Sequence, residues 1–136
     1  MKPVLHLTNW ASRKLHRGLR LTIMVMPRAW ECGDGAVRVL RPEVADLRAW
    51  HNGRIDDAEY QRRFEATMAD LVLRGGLVPG TLLCCAGLDQ SVLPVPDGAT
   101  LLCACARGKP CHRRWAAPYL VAAGWRVVLD GAEVAT

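Results

Sequence analysis

The chain has 136 residues, 51% of them hydrophobic, and no apolar run near the ~20 residues a membrane helix needs. This predicts one globular domain over residues 1–136 and excludes a disordered chain or a membrane-spanning protein. The net charge of +5 is uneven: residues 1–30 hold six basic groups and no acid, residues 31–105 are net acidic, and residues 106–136 are basic again. If the two ends meet in space, they make one positive face suited to phosphate or nucleic acid.

In chain order, "PVLHL" at 3–7 predicts a short first strand, and the basic "TNWASRKLHRG" that follows predicts a loop or a single helical turn. The continuous apolar run "RLTIMVM" at 20–26 predicts a strand buried on both faces. It is too short for the core of a signal peptide, so the reading is a cytoplasmic protein whose six cysteines are reduced. "PRAWECGDG" at 27–35 has the chemistry of a loop.

Two helices come next. In "RPEVADLRAWHNG", Pro42 suits a first turn and Gly53 a stop, with Val44, Leu47 and Trp50 at helical spacing. In the second, Asp56 and Glu59 have capping-box spacing, and Tyr60, Phe64, Met68 and Leu71 form one apolar stripe for the core. "TLLCCAG" at 81–87 predicts a strand, "QSVLPVPDG" a proline-broken connection, and "ATLLCACA" at 99–106 a further strand. A helix from Cys111 to Ala123, with Pro118 inside it, leads to a last strand in "WRVVLDG", and the tail "AEVAT" is expected to fray. Strand, helix, strand at this end is a βαβ unit. The fold class is therefore α/β: a mostly parallel sheet with helices packed on it.

The chemistry concentrates in "LLCACARGKPCHRRW" at 101–115, which supports three readings. In the first, the positive end of the final helix is an anion pocket. Arg107, Lys109, Arg113 and Arg114, with Arg28, hold a phosphate-bearing small molecule, a nucleotide or a nucleic-acid end. Cys111 is then the candidate nucleophile and His112 the proton carrier. In the second, Cys103, Cys105, Cys111 and His112 hold zinc and staple a binding module without catalysis, although the spacing is not one of the usual zinc patterns. In the third, Cys103 and Cys105 are small buried hydrophobes, and the protein binds nucleic acid or a host protein through its basic face. Cys84 and Cys85 read as core, Cys32 as a loop residue, and His6, His16 and His51 as structural or surface groups. Trp10, Trp30 and Tyr60 are read first as core and second as stacking platforms for a base.

The segment "LLCACARGKPCHRRWAAPYLVAAGWRVV" resembles the Leu-Cys … Cys-His-Arg end of the family known as domain of unknown function 488. "LTNWASRKL", "LRP" at 40–42 and "GRIDDAEYQRRF" resemble further marks of that family, so the likeness spans about residues 4–130. The Cys103-x-Cys105 pair also resembles a related phage and bacterial family with a Cys-x-Cys … Cys-His ending. Where the first family's second strand is usually followed by a Ser/Ala-Arg or proline-rich turn, this chain departs from it with "MVMPRAW", in which the resemblance offers Arg28 as the counterpart of the family's arginine. The resemblance implies a compact α/β fold and a shared pocket around Cys111, His112 and Arg113, and it implies no particular reaction.

Overall fold

Alternate side chains along the central strands are apolar and fully buried, which requires layers on both faces of the sheet. The computed structural model describes residues 1–25, 27, 29–31, 33–87, 90–105 and 111–135. Among these, eight strands form one sheet: β1 (Val4–Asn9), β2 (Arg20–Thr22), β3 (Gly35–Ala36), β4 (Leu83–Ala86), β5 (Ser91–Pro94), β6 (Ala99–Cys103), β7 (Arg126–Leu129) and β8 (Ala132–Glu133). Their order is β5-β4-β3-β2-β6-β1-β7-β8. The five inner strands, β3 to β7 in that order, are parallel, and antiparallel β4-β5 and β8 close the two sides. The α/β class with a mostly parallel sheet is as the sequence reading expects.

Three helices pack on the sheet: α1 (Val44–His51), α2 (Asp57–Leu73) and α3 (His112–Ala122). The Asp56 carboxylate caps α2 by accepting the Glu59 amide at 2.8 Å. The Glu59 side chain does not complete a capping box; it pairs with Arg62 and Arg63. The stripe from α2 holds as read: Tyr60, Phe64 and Met68 are buried and Leu71 packs against the same core. They meet α3 through Trp115, which lies edge-on to Tyr60 at 5.4 Å and tilted to Phe64 at 5.9 Å. Leu5, Leu7, Leu21, Ile23, Leu101 and Val127 supply the sheet side of this core. Pro118 falls on the exposed side of α3, which runs through it.

Several boundaries differ from the sequence reading. β2 covers only Arg20–Thr22, although the Ile23 amide still bonds to the Leu102 carbonyl at 3.0 Å. The loop-like 27–35 segment leads into β3, whose two residues are held by backbone pairing to β2 and β4. The approach requires glycine at Gly33, which has φ +56°; a Cβ there would stand 2.4 Å from the Arg20 carbonyl oxygen. "QSVLPVPDG" contains an edge strand, β5, all four of whose residues are exposed. It has no apolar alternation to read, and an edge tolerates proline. The tail is paired as well: β8 returns along β7, and Glu133 accepts hydrogen bonds from Arg126.

On the face away from the helices, Thr8, Thr22, Thr100 and Leu102 are buried beneath the segment between β1 and β2. Arg13–Leu15 form one 3-10 turn there, and the Arg17 amide donates to Thr100 Oγ1 at 2.7 Å. β6 lies between β1 and β2, and Leu101 at its centre is 0% exposed. Leu101→Ala is expected to destabilise the fold by about 3 kcal/mol, read as a lowered denaturant midpoint with unchanged slope.

Candidate functional site

The carboxyl ends of β1, β6 and β2 stand side by side, and the chemistry-bearing residues gather there. β6 ends on Cys103, opposite Asn9 in the β1 register. The chain then turns outward at Ala104, which is exposed, and back at Cys105, which is half-buried. It returns at Cys111, which takes the N-cap position of α3 with extended backbone. Cys105 therefore reaches the site through this turn and not through strand alternation. The Cys105 carbonyl is pinned from two sides, by Asn9 Nδ2 at 3.1 Å and by Arg113 Nη1 at 3.3 Å.

The result is a cluster of three thiols. The sulfurs of Cys103, Cys105 and Cys111 all lie within 4.8 Å of one another, and Cys103 and Cys111 approach to 3.0 Å. Cys103 and Cys111 are 0% and 2% exposed, so the half-buried Cys105 is the member nearest solvent. Arg113 is 0% exposed and donates from Nη1 to Cys103 Sγ at 3.0 Å. Its Nε and Nη2 form a two-pronged contact with the Asp130 carboxylate, each at 3.2 Å.

These contacts divide the protons unequally. Cys103 is held far below the usual thiol range by thiol donors on Cys105 and Cys111, and burial opposes them less strongly than they and the Arg113 charge act. Cys105 and Cys111 are pushed up, first by the hydrogen bonds they give to Cys103. Negative charge in the cluster is therefore favoured on Cys103 over Cys105 and Cys111. Burial works against the Arg113 charge, but Cys103 and Asp130 outweigh it and raise its pKa. The amino end of α3 favours the same negative charge.

His112 has a different task. Its Nε2 donates to the Ile23 carbonyl at 2.7 Å, just beyond β2, and its ring stands edge-on to Phe64. Burial is the main reason its pKa is lowered, so the ring is neutral with its proton on Nε2. It anchors α3 to β2 and is not among the groups that converge with the sulfurs. Of the four expected zinc ligands, the structure brings three together.

Of the expected anion-binding residues, Arg113 and Arg114 are described, and both reach Asp130. Arg113 turns inward to Asp130 and Cys103 and does not face a pocket, because a buried guanidinium needs anions at hand. The Arg114 side chain is 34% exposed and reaches Asp130 at 3.9 Å. Arg28, Arg107 and Lys109 lie outside the described residues, as does Cys32. Tyr60 is core and Trp10 is 9% exposed, whereas Trp30 is 62% exposed. Cys84 is buried, and Cys85, which is half-buried, sits beside it in β4.

Two site residues were not read from the sequence, Asp130 and Asn9. Asp130 had a signal. Asp130-Gly131 between two β runs is a strong two-residue hairpin pattern, and both residues take positive φ, +49° and +85°. That turn aims the carboxylate back at α3. Asn9 has no such signal, since its role depends on the register that sets it opposite Cys103.

The chain matches no protein-family model, no curated protein and no solved structure. Arg113→Ala is expected to cost about 3 kcal/mol in folding stability, because it strips Cys103 of its charged donor and leaves Asp130 only the longer contact to Arg114. Chemical denaturation of the variant beside the parent protein measures this.

Proposed function

We propose that this is a metal–thiolate protein in which Cys103, Cys105 and Cys111 hold a soft divalent ion of the zinc type, joining the end of β6 to the start of α3. The observation that carries the reading is the convergence of three sulfurs within 4.8 Å. A tetrahedral zinc with ~2.3 Å bonds sets its sulfurs ~3.8 Å apart, so binding needs only a slight opening of the Cys103–Cys111 pair. Three thiolates around a dication carry one net negative charge, and Arg113 already donates to one of those sulfurs. Such outer contacts orient and tune thiolate ligands. The connection at 106–110, Ala-Arg-Gly-Lys-Pro, offers no thiol, imidazole or carboxylate, so it is not the source of a fourth ligand of those kinds.

On this reading, the Cys111-His112-Arg113 motif divides its work in this chain. Cys111 is the ligand, His112 fastens the helix to β2, and Arg113 is the counter-ion. Kinship with the domain of unknown function 488 family is part of the same proposal and rests on that motif. The inward-facing Arg113 supports the metal reading over a phosphate pocket centred on this residue.

The test is elemental analysis of protein purified without chelator, which should find a single metal ion per chain. Substitution by cobalt or cadmium should produce a thiolate-to-metal charge-transfer band. Each of Cys103→Ser, Cys105→Ser and Cys111→Ser should weaken or abolish that band, while Cys32→Ser should keep it. Removal by chelator should lower the thermal midpoint on the order of 10 °C, the size expected if the metal is present at about a hundred times its dissociation constant. A folded protein that takes up none of zinc, cobalt or cadmium overturns the reading.

A further inference from the structure

The sheet face away from the helices carries a second set of features that the metal site does not use. Trp10 lies against this face, its ring 3.1 Å from where a Cβ on Gly33 would stand. Three groups surround it: Trp30 edge-on at 6.3 Å, His16 edge-on at 6.0 Å, and the Arg20 guanidinium 5.8 Å from the ring centre. Trp10 is almost wholly buried, but Trp30 leaves 62% of its surface in water. A large indole held against a second aromatic ring and left exposed is a ready stacking surface.

Basic groups predominate beside it. Arg13, Lys14, Arg17 and Arg20 are all exposed, and none takes part in the described ion pairs. Arg17 is also fixed in place by backbone groups. Arg17 Nη1 donates to the carbonyls of Lys14 and His16 at 2.7 and 2.8 Å, and the Arg17 amide bonds to Thr100, the β6 partner of Arg20. The nearest acid in the same turn system, Asp34, accepts the Arg20 amide at 2.9 Å, and Glu31 is buried.

We infer that this face binds single-stranded nucleic acid, with an unpaired base stacked on Trp30 and the phosphates drawn along Arg20, Arg17, Lys14 and Arg13. The charge pattern selects a polyanion. The exposed indole selects one that offers unpaired aromatic faces, which a duplex keeps inside its stack and an acidic polypeptide lacks. The inference does not rest on the metal reading: the link between the two regions is the Trp10 backbone amide, which donates to the Cys103 carbonyl at 3.0 Å and leaves the sulfur untouched.

Fluorescence anisotropy of a labelled single strand of about 12 nucleotides, titrated with metal-replete protein, tests it. Binding should weaken with salt at a logarithmic slope of about −2 to −3, as expected for roughly four phosphate contacts on a single strand. Trp30→Ala should lower affinity roughly 5- to 100-fold, and Trp30→Phe should restore most of it. Arg17→Ala and Arg20→Ala should each flatten the salt slope by about 0.7. Unlabelled single strand should compete far better than duplex or polyglutamate. Three outcomes overturn the proposal: no binding at low salt, equal competition by duplex or polyglutamate, or binding that Trp30→Ala leaves unchanged.

Discussion

Arg113 is the constraint on which the carboxyl-end region depends. A guanidinium with no exposed surface must have its charge and its donors met inside the protein. It finds them on two elements far apart in sequence, the Cys103 sulfur at the end of β6 and the Asp130 carboxylate in the β7–β8 turn. A third contact, to the Cys105 carbonyl, shapes the segment leaving β6. The first turn of α3, the end of a central strand and the final hairpin are thereby locked to one another by a single side chain. His112 adds β2 to that lock through the Ile23 carbonyl. Neighbouring residues of one motif thus fasten α3 to both sides of the site.

The same lock favours negative charge on Cys103, although the corner is poor in water. An isolated buried thiolate is unfavourable. Here Cys103 accepts from the Arg113 guanidinium and shares a 3.0 Å contact with the Cys111 sulfur, while Asp130, partly open to solvent, balances the far side of Arg113. Charge is arranged in alternation from the sulfur to the surface. A metal ion held by Cys103, Cys105 and Cys111 would replace their remaining thiol protons, and because the sulfurs are already grouped, little ordering would be left for binding to accomplish.

How much of this was legible in the sequence depends on whether a feature is local or arises from register. The α2 stripe, the Asp56 cap and the βαβ end were readable, because period, cap and turn chemistry lie within a few residues of one another. β3, β5 and β8 were not. They are two to four residues long, at or near the sheet's sides, and they exist because a neighbour offers backbone groups, which leaves no trace in hydrophobic pattern. The cluster was legible as a density of cysteine, and zinc was among its readings, but membership was not. Cys103 and Cys105 came together through a turn just past a strand end, and His112 was drawn away by a carbonyl 89 residues earlier in the chain. Asp130 could have been found as a hairpin turn, though not as the partner of Arg113, because that pairing depends on the strand order.

Positive charges that look equivalent in sequence are sorted by burial into different jobs. Arg113 sits beside Arg114 in a run without acids, and a reading from composition gives both to a bound anion. In the fold one is sealed against Asp130 and Cys103, while its neighbour is a third exposed. The free charge of the amino-terminal quarter follows a different rule. Arg13, Lys14, Arg17 and Arg20 are all exposed, and backbone carbonyls satisfy Arg17 locally, so their charge remains directed at solvent. Inward cations stabilise the corner that gathers the sulfurs, and outward cations create a field across the opposite face of the sheet. Among the described residues, the buried Arg113 already has its anions, whereas the amino-terminal set keeps its charge at the surface.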